Sequence, residues 1–104
     1  MAVDLNADVG EGFPDDERLL DLVTSLNVAC GFHAGSADSM RMVCAAAAGR
    51  ADLAVGAHPS YRDRGGFGRR ALEVLPGTVR DDVAEQVATL FAIARVYSAP
   101  CGFT

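Results

Sequence analysis

Hydrophobic and polar positions alternate through Val3-Asp4-Leu5-Asn6-Ala7-Asp8-Val9, where the chain runs into Gly10-Glu11-Gly12. Successive side chains of a strand point to opposite faces, so Val3, Leu5, Ala7 and Val9 share one face while Asp4, Asn6 and Asp8 share the other. The pattern then changes period. Leu19, Leu22, Val23 and Leu26 recur at helical spacing after Pro14-Asp15-Asp16, whose acidic residues suit a first helical turn. A second alternating stretch, Leu26 to Cys30, sets Asn27, Ala29, Gly31 and His33 on one face and Leu26, Val28 and Cys30 on the other. Ser36 is placed to cap a second helix with Met40, Val43, Cys44 and Ala47 as its apolar stripe, and Gly49 is placed to end it. A third strand, Leu53 to Ala57, delivers His58 on the face of Ala54 and Gly56. After a long loop from Pro59 to Pro76, Thr78 and Asp81 read as a capping box for a helix striped by Val83, Val87, Leu90, Phe91 and Ala94. Tyr97 to Thr104 shows no clear pattern.

The order βαβαβα predicts an α/β fold with parallel strands. Each strand bears small or polar residues on one face, which favours a barrel, where only one face meets helices, over a doubly wound sheet. A barrel of this type runs to about 250 residues, so 104 residues read as one partial (β/α)-barrel domain, the N-terminal portion.

Composition narrows the function classes. Half the residues are hydrophobic, which opposes disorder, and a net charge of -5 offers no footprint for nucleic acid or an anionic membrane. The start lacks a basic, then apolar, leader, and no apolar run is long enough to span a bilayer. Three cysteines without CxxC spacing suggest reduced thiols in the cytoplasm.

The candidate chemistry gathers at the strand ends. Asp8, His33 and His58 follow three consecutive strands and can converge on one rim, above a floor that includes Asn6 and Asn27. Two imidazoles and a carboxylate can hold a divalent metal, or act without one as base and orienting groups; alternatively each histidine merely caps its strand. Glu11 is a further acid or base, or a solvated turn residue. Arg62, Arg64, Arg69 and Arg70 lie in one glycine-rich loop and can clamp a carboxylate or phosphate, or stay solvated. Cys30, on the helix side, reads as a buried structural thiol.

Four collinear blocks carry a resemblance: Asp4-Leu5-Asn6-Ala7-Asp8 with Gly10-Glu11-Gly12; Thr24-Ser25 with Asn27 through Gly35; Gly56-Ala57-His58-Pro59-Ser60-Tyr61; and Gly66-Phe67-Gly68-Arg69-Arg70. On these the chain resembles the LamB/YcsF family. The resemblance implies a TIM-like barrel of the glycoside hydrolase/deacetylase type. It further implies ATP-dependent opening of 5-oxo-L-proline to L-glutamate by a 5-oxoprolinase acting with B and C subunits, ATP being used with Mg. Under it Asp8, Glu11, His33 and His58 become catalytic candidates, Asn6, Asn27, Arg69 and Arg70 substrate-binding candidates, and Asp8, His33 and His58 a candidate metal set. The segment after Gly12 is shorter than the family's, and Ser36 stands where the family commonly has Asp. The family's later Lys-Pro-His-Gly-type motif is not reached, so a truncated chain, inactive alone, is expected. Two other readings compete: a non-catalytic module docking through an open edge of the third strand, and a metal-dependent deacetylase-like hydrolase acting on a sugar.

Overall fold

A computed structural model describes residues 3–50, 52–69, 72–97 and 99, and the backbone of 101–102. Its elements are β1 (Asn6–Val9), α1 (Asp16–Leu22), β2 (Ser25–Ala29), α2 (Ala37–Ala48), β3 (Ala54–His58), α3 (Pro76–Tyr97) and β4 (Cys101–Gly102). The strands form one parallel sheet in the order β1-β2-β3-β4. The expected α/β fold with parallel strands is therefore present.

Register explains why the sheet has two unlike faces. Asp8 pairs with Asn27 and Asn27 with Gly56; one pleat further on, Ala29 pairs with His58. Small and polar side chains thus line up in rows on one side. On the other, Val9, Leu26, Val28 and Val55 join Leu20 of α1, Met40, Val43 and Cys44 of α2, and Leu90 and Ala94 of α3 in a single buried cluster. All three helices pack on that apolar face, and burying it is the main driving force available to the segment.

The helices are held by specific contacts. Ser36 Oγ accepts from Ser39 N at 3.1 Å and Ser36 N donates to Ser39 Oγ at 2.8 Å, a reciprocal cap at the start of α2. The end of α1 has no basic residue of its own. Arg50 supplies one from beyond α2: its guanidinium donates to the carbonyls of Leu20 and Val23 while paired with Asp52 at 3.0 Å. That pairing raises the Arg50 pKa and lowers that of Asp52, each chiefly through the hydrogen bond between them.

Several expectations need correction. Val3 and Leu5 precede β1 and are exposed, because no element covers that end of the apolar face among the described residues. Leu26 does not extend the α1 stripe; α1 stops at Leu22, and Leu26 is a buried residue of β2. The expected Thr78–Asp81 cap lies inside α3, which starts at Pro76 with Val79 N donating to Leu75 O at 3.1 Å. Proline fits a first helical position, where its missing N–H costs nothing. The tail is not featureless, since Cys101 and Gly102 pair with Val55 and Gly56. Those two residues cover part of the third-strand edge that the docking reading required to be open.

Candidate functional site

The carboxyl ends of the first three strands lead to a shared rim. Below it, the polar face of β1 is tied to that of β2 by a ladder of side chains. Asp4 Oδ1 accepts from Thr24 Oγ1 at 2.6 Å and Ser25 Oγ at 2.9 Å. Asn6 Nδ2 donates to Ser25 Oγ at 2.9 Å, and Asn27 Nδ2 to Asn6 Oδ1 at 3.2 Å. The Thr24 and Ser25 hydroxyls hold the Asp4 carboxyl below its ordinary pKa. Asn6 and Asn27 thus spend part of their hydrogen-bonding capacity on each other, one level beneath the rim.

At the rim, His33 Nε2 lies 3.2 Å from Glu11 Oε2. His58 Nδ1 lies 4.0 Å from the same oxygen and 3.7 Å from Asp8 Oδ1. The two imidazole centroids are 4.7 Å apart. The His33 side chain is 3% exposed, Glu11 12% and His58 34%. One ligand atom from each of Glu11, His33 and His58 falls within a group in which all are 4.8 Å or less from one another. The turn glutamate therefore stands where the strand-end aspartate was expected: Asp8 faces His58 alone and is not in the three-ligand group.

Two features of the loop after β3 fix this rim. Gly68 has φ +74°, and a Cβ there would overlap Ser60 Oγ and lie 2.9 Å from His33 Cβ. Only glycine gives the backbone this approach to His33. Gln86 of α3 reaches the backbone two residues beyond His58: its Oε1 accepts from Ser60 N and its Nε2 donates to Ser60 O, both at 2.9 Å, with a further bond to Asp82 O at 3.0 Å. Ser60, Phe67, Gly68 and Gln86 went unremarked as site residues in the sequence. Gln86 falls three residues after Val83 and four before Leu90, and a polar residue at that spacing within the apolar stripe was the one available signal.

The arginine loop divides. Arg64 donates to Gly31 O at 2.7 Å and Gly35 O at 2.9 Å, bracing the turn after β2. Arg62 stacks 3.9 Å over the Phe32 ring and pairs with Glu85 at 3.1 Å and Asp82 at 3.6 Å. Both of these guanidinium groups are engaged by partners within the chain. Arg69 does reach the rim, lining a depression of about 280 Å³ with Asp8, Glu11, His33, His58 and Ser60. Arg70 lies outside the described residues. Cys30 is buried as expected, its thiol 3.4 Å from Val28 O. No helix among the described residues is long and apolar enough to cross a membrane.

Comparison with known proteins places this arrangement in a group. The model of the LamB/YcsF family matches residues 3–103. The A subunit of 5-oxoprolinase from Streptomyces avermitilis is 56% identical over 98 residues, which cover 89% of this chain and 39% of that protein. Its counterpart from Cutibacterium acnes is 54% identical over 102 residues, covering 93% and 40%. The crystal structure of the lactam utilization protein from Thermus thermophilus matches with a TM-score of 0.86 at 39% identity, over 97% of this chain and 42% of that one. The chain thus spans about 40% of the length of these relatives.

Proposed function

Because the chain belongs to the LamB/YcsF family, we propose that it carries the N-terminal part of a lactam-hydrolase subunit that opens 5-oxo-L-proline to L-glutamate with hydrolysis of ATP, supplied with Mg. Its relatives, named as A subunits of 5-oxoprolinase, imply a multi-subunit complex, and B and C subunits are the proposed partners. A cytoplasmic setting is part of this reading, in line with three cysteines that lack CxxC spacing. The one-sided sheet suits a wall of a TIM-like barrel, whose lumen would lie on the polar face.

The observation that carries this reading is the convergence of Glu11, His33 and His58 at the carboxyl ends of parallel strands, where ligands bind in α/β folds. An unstrained lactam is a poor electrophile. Opening it requires activation of the carbonyl, delivery of water and a proton for the departing ring nitrogen. When no cation is bound at the rim, we take Glu11, 3.2 Å from His33, as the general base for water and His58 as the proton carrier toward the ring nitrogen. Asp8, 3.7 Å from His58 Nδ1, is a further acidic group at this rim. Arg69, at the same rim, is the candidate partner for the substrate carboxylate, with Asn6 and Asn27 below as polar floor. ATP use fits this chemistry, since phosphorylating the lactam oxygen makes the ring carbon electrophilic.

The test combines the purified chain with B and C subunits, ATP, Mg and 5-oxo-L-proline and measures glutamate and ADP together. Coupled release that Glu11→Gln lowers by about 100-fold, within the range for loss of a general base, is expected. No glutamate from this chain, while the full-length Streptomyces avermitilis relative in its place is active, overturns the proposal for this segment.

A further inference from the structure

We infer that Glu11, His33 and His58 form a site for a first-row divalent transition cation of the zinc class, with coordination positions left open toward the rim. The argument starts from an atom without a partner. His58 Nδ1 is buried and has no hydrogen bond, although carboxylate oxygens of Asp8 and Glu11 stand 3.7 and 4.0 Å away. Those separations are too long for hydrogen bonds but suit groups that share a cation. Ligands each about 2.0–2.1 Å from a tetrahedral metal lie about 3.4 Å apart. Glu11 Oε2 and His33 Nε2 are already 3.2 Å apart, Glu11 Oε2 and His58 Nδ1 are 4.0 Å apart, and all three ligand atoms lie within 4.8 Å of one another, so closing on a cation needs side-chain shifts of at most about 1.4 Å.

The donor set points to the class of cation. Two imidazoles and one carboxylate suit zinc, cobalt or iron, whereas calcium and magnesium prefer all-oxygen surroundings. Three protein ligands leave a position for water or substrate, the arrangement of catalytic rather than structural sites. A cation there supplies Lewis-acid polarisation of a carbonyl oxygen or a more acidic bound water. What fills the open position rests on the hydrolase reading above; binding of the cation does not.

Calorimetric titration of chelator-stripped chain with Zn²⁺ alone, without other subunits or substrate, separates the two. One equivalent is expected to bind. Glu11→Gln and His58→Asn should each weaken binding at least about 10–100-fold, the loss seen even when a group outside the ligand shell is removed. Asp8→Asn should weaken binding less than either ligand variant, because Asp8 stands beside His58 but outside the trio. The chain has two histidines, so Co²⁺ added to the unsubstituted chain should shift both sets of imidazole proton resonances, a readout independent of whether a variant folds. Absence of binding, equal affinity in all three variants, or a cobalt spectrum with thiolate charge transfer and unshifted histidines overturns the inference.

Discussion

Gln86→Met is the most direct probe of how α3 controls the rim. Gln86 is 1% exposed, and its carboxamide bonds both backbone groups of Ser60 as well as Asp82 O. Methionine matches its length and removes every one of these bonds. Two main-chain groups of Ser60 then lose their partner, at about 1–3 kcal/mol each when left unsatisfied. Ser60 is only partly buried, so water recovers some of this and the low end applies. The added apolar side chain returns about 1 kcal/mol through burial. A net loss of about 1 kcal/mol follows, or roughly 4–8 °C in melting temperature for a domain near 100 residues. Circular dichroism melts give the stability. Zn²⁺ titration of the still-folded variant gives the site effect, expected as weaker binding because the backbone just beyond His58 is released. An unchanged melting temperature together with unchanged Zn²⁺ affinity would refute the reasoning, since it would mean that the Gln86–Ser60 bonds neither stabilise the loop nor place His58.

Two other outcomes follow from the same geometry. Gly68→Ala should destabilise by at least about 1–2 kcal/mol from the positive φ alone; the added Cβ also strikes Ser60 Oγ and His33 Cβ, so Zn²⁺ affinity should fall as well, and titration alongside a urea melt checks both. Asp4 has a folded pKa below its ordinary 3.8, so its contribution is fully present above that value and is lost as pH falls through the lower folded value. Acid unfolding of the parent should therefore show a slope below about pH 4 that is shallower in Asp4→Asn, where Asp52 still contributes, measured by far-ultraviolet ellipticity across a pH series.

Much of the sheet was legible because strand alternation is a local property. The rows Asn6–Asp8, Asn27 and Gly56–His58 fall on one face, as the two-residue period required, and the register places them side by side. Leu26 misled because helical and strand periods overlap there, and the short turn after Leu22 settles the competition only in three dimensions. The exchange of Asp8 for Glu11 has a different cause. Asp8 lies within a strand, so its direction is set by the pleat, whereas Glu11 follows a turn whose path depends on Gly10 and on the packing of Gly35 against it: a Cβ on Gly35 would overlap Gly10 O. Nothing in the local sequence encodes that approach. Arg62 and Arg64 looked free because their partners, Glu85 and the Gly31 and Gly35 carbonyls, are distant along the chain.

The side-chain ladder from Asp4 through Thr24, Ser25 and Asn6 to Asn27 has a bearing on how the segment behaves in water. Hydrophobic strand faces cling to whatever they meet first, so a bare one invites clumping. Here the uncovered side consists of short polar groups already satisfied by one another, and it offers little to a stray neighbour. The same wall can border a wet interior when more of a barrel surrounds it, or stand against bulk solvent without becoming sticky.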